Sequence, residues 1–137
     1  MGMLSSDEIR ARVQQRLQVQ RALVRDLLRR REQLRGSLFE RYGVCGKENC
    51  VCRTGPRHGP YFVLSTRAAG KGGFSYLEGA RAEEARALVR RHREFKAGLR
   101  RLRRVNAELV ALLRRYQQVM ARQGGRRMGL AASSLPS

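Results

Sequence analysis

The chain contains no tryptophan, only four tyrosines and four phenylalanines, and just eleven acidic residues among 137. So few aromatics exclude a large globular core, and the length allows one domain or a small head carried on long helices. No run of about 18 apolar residues occurs, so no segment reads as a membrane span. The first residues lack the basic-then-apolar layout of a secretory signal. There are three cysteines. An odd count without such a signal points to a reducing, cytoplasmic setting and to metal binding over disulfides. Lysine is scarce too: of 30 basic residues only Lys47, Lys71 and Lys96 are lysines.

What remains in excess is arginine, which sets the net charge at +19 and the pI near 11.6. Charge of this size does not select a fold, but it predicts a polyanionic partner: DNA, RNA or an anionic membrane surface. Arginine suits bidentate phosphate contact better than lysine does. A codon bias towards arginine explains the Arg/Lys ratio equally well, but not the charge itself. The excess is uneven: residues 81–122 carry thirteen basic side chains against four acidic ones.

All the cysteines and one of the two histidines fall between Cys45 and His58, as Cys45, Cys50, Cys52 and His58. Three thiolates and one imidazole form a complete tetrahedral ligand set for structural zinc. The spacing is unusual beside the common C-x₂-C pairs, and ligands separated by one residue require a sharp local bend. Four protein ligands close the shell and leave no position for a catalytic water. A cysteine nucleophile lacks a neighbouring group to activate it. No enzyme constellation is found elsewhere.

The rest reads as mainly α with a small β head. Ser5 and Glu8 form a capping-box pattern that opens an N-terminal helix over residues 1–35, with Gly36 as its stop. Val13, Leu17, Val24, Leu27 and Leu34 recur at coiled-coil spacing, broken by Gln20 and Arg31. Residues 36–80 make the head. It holds a strand over 37–44, the zinc knuckle, a strand over Tyr61–Thr66, a flexible turn over 68–73 and a return strand Phe74–Leu77. So small a sheet seldom holds itself together, which gives zinc a structural role. Residues 81–122 form a long heptad helix, and residues 123–137, beginning at the Gly124-Gly125 stop, form a disordered basic tail.

The seam of the long helix includes Leu88, Phe95, Leu99, Leu102, Asn106, Leu109 and Leu113, at spacings of three and four. His92 lies on the same seam and reads as a packed residue. Asn106 takes an a-type position, where an amide fixes register and strand number. Two long helices flanking the head give either a coiled-coil hairpin or, with the seam paired to its copy, a dimeric coil. The polar breaks in the first helix favour a homodimer.

Candidate nucleic-acid contacts are Lys47, Arg53, Arg57, Arg67 and Lys71 around the metal. On the long helix they are Arg90, Arg91, Arg100, Arg101, Arg103, Arg104, Arg114 and Arg115, mostly off the seam. Charged outer faces of a coil are usually mixed in sign, and these are not. In the head, Tyr42, Tyr61, Phe62, Phe74 and Tyr76 supply rings beside basic residues, a combination that holds single strands or base edges. Most of these rings read more simply as the head's core.

The stretch Gly36-Ser37-Leu38, Cys45-Gly46-Lys47, Cys50, Cys52, Gly55, His58-Gly59-Pro60-Tyr61 and Gly70-Lys71 resembles a small bacterial family of unknown function. Its hallmark is C-G-K-x-x-C-x-C followed by H-G-P-Y. The helix bearing Asn106 also resembles that family's trailing segment. Members often occur beside transposases and other mobile elements, so the resemblance implies an accessory role in nucleic-acid transactions. The combined expectation is a non-enzymatic, zinc-stabilised nucleic-acid-binding protein, cytoplasmic and nucleoid-associated, with DNA preferred to RNA. The alternatives are a coiled-coil adaptor docking onto a transposase or recombinase, an RNA- or ribosome-binding protein, and a redox or metal sensor.

Overall fold

A computed structural model describes residues 3–68 and 71–130, with the backbone alone at 67, 68 and 71. The elements in order are α1 (Ser6–Leu27), β1 (Gly36–Gly43), a 3₁₀ turn (Val51–Arg53), β2 (His58–Ala68), β3 (Lys71–Leu77) and α2 (Gly79–Arg127). The described residues form two helices and a three-stranded antiparallel sheet of order β1-β2-β3. None of the described helices is long and apolar enough to cross a membrane. The residues divide into two compact units: 1–29 with 97–137, and 30–96.

In the first unit α1 lies against the C-terminal half of α2. The Ser5 hydroxyl accepts from the Glu8 N–H, and the Glu8 carboxylate accepts from the Ser5 N–H, each at 3.2 Å. This is the capping box expected from the sequence, and it satisfies two of the free donors of the first turn. Contacts between the helices run in opposite order along the two segments. Arg16 pairs with Glu108 at 3.0 Å. Gln20 donates its amide to Asn106 Oδ1 at 2.7 Å. Leu27 sits where a side chain on residue 98 would be, its Cδ2 2.7 Å from the Cβ that Gly98 lacks.

Gln20 therefore does not interrupt this contact; it meets Asn106. The buried stripe of α2 follows the expected seam only in part: Leu109 lies on it and Val105 does not. Val105 and Leu109 are buried, while Leu99 and Leu113 are 36% and 53% exposed and Asn106 is exposed. The helix has apolar neighbours at 112–113 and 119–120, so periodicity alone cannot choose between adjacent rows. Ile9, 1% exposed, is the buried residue of α1.

Both helix ends differ from expectation. α1 stops at Leu27 rather than Arg35, because Leu34 belongs to the other unit. There Leu34 packs on the core of Leu64, Ala85 and Val89, and its N–H donates to the Leu88 carbonyl at 3.1 Å. α2 runs through Gly124-Gly125 and ends at Arg127. Glycine costs a helix only about 1 kcal/mol, and this helix stops at a left-handed residue further on. Gly129 is that residue, at φ +71. The N–H of Leu130 then bonds the Gly125 carbonyl at 2.8 Å, and that of Gly129 bonds Arg126 at 3.0 Å. This pairing is a Schellman motif. Residues 131–137, part of the expected tail, lie outside the described residues.

In the second unit the sheet packs one face on the start of α2. β1 pairs with β2 through Leu38↔Leu64 and Phe39↔Val63. β2 pairs with β3 through Phe62↔Leu77, Val63↔Tyr76 and Ser65↔Phe74. Alternation puts Leu38, Leu64 and Leu77 on one face, and these join Ala85 and Val89 in the core. The expected hairpin closes between Ala68 and Lys71; Ala69 and Gly70 of its turn lie outside the described residues.

The amide pair between the helices gives a direct test. Singly, Gln20→Ala and Asn106→Ala should each destabilise the chain, and a double-mutant cycle by urea unfolding should return a coupling of about 0.5–1 kcal/mol. A coupling of zero would show that the two amides do not hold the helices in register.

Candidate metal centre

The connection between β1 and β2 carries the four candidate ligands. β1 ends at Gly43, after a bulge between Arg41 and Gly43, and Gly43 pairs with His58 at the first position of β2. Cys45 and His58 are thereby brought to the same end of the strand pair. Between them the chain must reverse, and the 3₁₀ turn does this. Arg53 donates its N–H to the Cys50 carbonyl at 3.3 Å, and Thr54 and Gly55 donate to Val51 at 3.1 and 2.6 Å. Cys50 is extended at the head of this turn and Cys52 lies within it. This is the bend that two ligands one residue apart require.

The result is one cluster. The Sγ atoms of Cys45, Cys50 and Cys52 and a ring nitrogen of His58 all lie within 4.8 Å of one another. Cys45 and Cys52 sulfurs are 3.5 Å apart, Cys50 Sγ is 3.0 Å from His58 Nε2, and the Cys45 N–H donates to Cys52 Sγ at 3.4 Å. Cys52 is buried, Cys45 and Cys50 are half-buried, and His58 is exposed. The four residues expected to act together stand together, and they can hold a metal ion.

The electrostatics differ between the thiols. The Cys52 backbone N–H foremost, then the Cys45 and Cys52 thiols and His58, hold the Cys50 thiol at about 6, down from the ordinary 9.0. Burial pushes the Cys52 thiol up. Gly59, beside His58, has φ +140, and a side chain there would meet the Arg41 carbonyl at 2.9 Å. Only glycine fits this approach without strain.

The candidate nucleic-acid contacts fall in both units. Lys47, Arg53 and Arg57 are exposed on the segment that carries the cluster. The side chains of Arg67 and Lys71 lie outside the described residues. Arg90 is exposed, whereas Arg91 is half-buried and donates to the Glu32 carbonyl at 3.4 Å, so it helps hold the segment before β1. Arg100, Arg101, Arg103, Arg104, Arg114 and Arg115 are all exposed. Among the described residues the ion pairs are Arg16–Glu108, Arg29–Asp26 and Arg86–Glu83. None of those six arginines takes part in one.

The reading of the head's rings as core needs correction. Phe62 is half-buried, with the Arg86 guanidinium 5.9 Å from its ring centre. Tyr42, Tyr61, Phe74 and Tyr76 are exposed, and so is Phe39. In so small a sheet the leucines fill the only covered face. Arg41, which stands among these rings, was not among the expected site residues. Its i, i+2 relation to Phe39 was visible, but its place beside β3 depends on a register that sequence does not supply.

Residues 8–87 match the model of a domain of unknown function, DUF6788. That match covers more than half of the chain. The chain belongs to the DUF6788 family. The matched segment contains all four candidate ligands and the whole sheet, and it ends before Asn106. Comparison with curated proteins and with solved structures gave no match.

Loading the protein with Co²⁺ should give thiolate charge-transfer absorption that saturates at one equivalent. Cys52→Ser should weaken metal binding at least about 100-fold, a loss beyond that of an outer-shell partner. Affinity should fall as pH is lowered, first as the Cys52 thiol, pushed up by burial, takes its proton, and further below about 6, where Cys50 is protonated too. Saturation at one ion per two chains would instead place the ligand set between molecules. Gly59→Ala should destabilise the fold by about 1–3 kcal/mol, measured by thermal unfolding.

Proposed function

We propose that this DUF6788 protein is a non-enzymatic, zinc-stabilised nucleic-acid-binding protein, with DNA preferred, acting as an accessory factor in a mobile-element or recombination system. The observation that carries this reading is the exposed, unpaired arginine surface of α2. Arg100, Arg101, Arg103, Arg104, Arg114 and Arg115 are exposed and take part in no ion pair among the described residues. Like charges this dense repel one another, and binding a polyanion relieves that repulsion. Guanidinium groups also match phosphate bidentately. Lys47, Arg53 and Arg57 add cations in the metal-bearing segment.

Zinc is the metal we assign, because three thiolates with one imidazole suit its tetrahedral, redox-inert chemistry. Its role is to tie the connection between β1 and β2, so that a short sheet keeps its register. The mobile-element setting rests on the family resemblance alone.

A second reading is favoured by the apolar residues that α2 leaves uncovered. Leu99 and Leu113, both on the expected seam, are 36% and 53% exposed. They suit a coiled-coil contact, either with a second copy of the chain as a homodimer or with a larger nucleic-acid enzyme such as a transposase or recombinase.

Charge reversal separates the two readings. With Arg100, Arg101, Arg103 and Arg104 all changed to Glu, duplex DNA binding should weaken strongly. The slope of log K against log salt concentration should flatten by about 3 to 4, close to one per lost phosphate contact. Unchanged DNA affinity and salt slope in that variant would remove the arginine face from nucleic-acid binding and leave the adaptor reading.

A further inference from the structure

The sheet has one packed face and one open face, and aromatic rings dominate the open face. Leu38, Leu64 and Leu77 face Ala85 and Val89 of α2. By strand alternation the opposite face carries Ser37, Phe39 and Arg41 from β1, Tyr61, Val63 and Ser65 from β2, and Phe74 and Tyr76 from β3. Half of the chain's eight aromatic rings stand here, and they are exposed: Phe39 42%, Tyr61 44%, Phe74 72% and Tyr76 65%. A small antiparallel sheet normally turns polar side chains to water on its free face. A contiguous aromatic surface in their place marks a binding site.

The rings are also arranged relative to one another. Phe39 and Phe74 meet edge to face, with centroids 6.5 Å apart at 83°. Arg41 reaches the Tyr76 hydroxyl at 3.5 Å. Phe39, Val63 and Tyr76 form one cross-strand row, and Val63 beneath the rings is only 2% exposed. Charge narrows the partner class. The only carboxylate in the three strands is Glu40, which alternation puts on the packed face, so the ring face carries a guanidinium and no acid. An acid-free aromatic surface in a chain of net charge +19 fits a polyanion that bears flat rings of its own.

We infer that this face is a base-stacking platform for single-stranded DNA. Each base has a π-face that stacks on an aromatic side chain whatever the sequence, while a duplex keeps its bases stacked on each other and offers none. Exposed rings on three adjacent strands accommodate two or three unpaired bases, and Arg41 is placed for the backbone phosphate between them. The inference rests on the nucleic-acid reading above and gives it a second binding mode, with DNA taken over from that reading.

The test is fluorescence anisotropy with the full chain and a mixed-sequence oligonucleotide of about 12 nucleotides, as single-stranded DNA, as RNA and as duplex DNA. Phe74→Ala and Tyr76→Ala should each weaken single-strand binding by about 5- to 100-fold and leave duplex affinity unchanged. Tyr76→Phe should retain affinity, because the ring remains. Phe74→Leu should lose it despite keeping apolar bulk, which separates stacking from general apolar docking. Phe74 and Tyr76 are largely exposed, so these variants should stay folded at the assay temperature, as thermal unfolding would verify. Equal single-strand affinity in Phe74→Ala, Tyr76→Ala and wild type would overturn the platform while leaving arginine-mediated duplex binding standing. Tighter wild-type binding to RNA than to DNA of the same sequence would overturn the choice of DNA. Binding to none of the three would overturn the nucleic-acid reading itself.

Discussion

The convergence of Cys45, Cys50, Cys52 and His58 is the constraint on which the rest of this structure depends. Residues 44–57 lie between two paired strands and contribute no strand of their own. A connection of that length has many conformations, and loop-closure entropy favours the open ones. The 3₁₀ turn, the Gly43↔His58 pair and the Gly59 backbone each remove part of that freedom. Together they bring four donor atoms within 4.8 Å. A bound metal would gain from this arrangement and also reinforce it, because binding free energy at such a site is folding free energy.

Fixing β1 against β2 has a consequence on both sides of the sheet. Side chains alternate with a period of two, so a one-residue slip of β1 would exchange that strand's two faces. Leu38 would leave the helix, and Phe39 would replace it. Register therefore decides which residues make the core and which make the exposed aromatic surface. In the proposed function the metal centre does not touch the ligand; it sets the register that presents it.

Much of this was legible in the sequence where local chemistry acts. The capping box at Ser5 and Glu8, the three strands and the four-ligand set all follow from short-range patterns. The errors lie where the deciding contact is distant. Leu34 fits a heptad in α1, yet the core around Leu64 and Val89 takes it, and the helix ends early. Gln20 looks like a flaw until Asn106 is opposite it. Val105 lies off the heptad seam and is buried beside Leu109, which periodicity within α2 cannot report. Gly124-Gly125 looked like a stop because glycine is rare in helices, but the positive φ is at Gly129. From sequence the rings of the head read as core, and only strand register shows that the leucines fill the covered face.

The two surfaces of the proposed nucleic-acid reading differ in physical kind. The arginines of α2 act through phosphate charge, and each contact they make releases counterions, so their contribution falls with salt, more steeply on a duplex than on a single strand. Rings on the sheet act through stacking, which salt barely alters but which requires bases freed from a duplex. A protein with both would hold duplex and single strand by different residues and lose them under different conditions. Such a division suits DNA that is partly opened, where paired and unpaired stretches adjoin. It also accounts for a composition that is otherwise hard to reconcile: a chain so poor in aromatics places half of them in water, on the one face of its sheet that carries no acid.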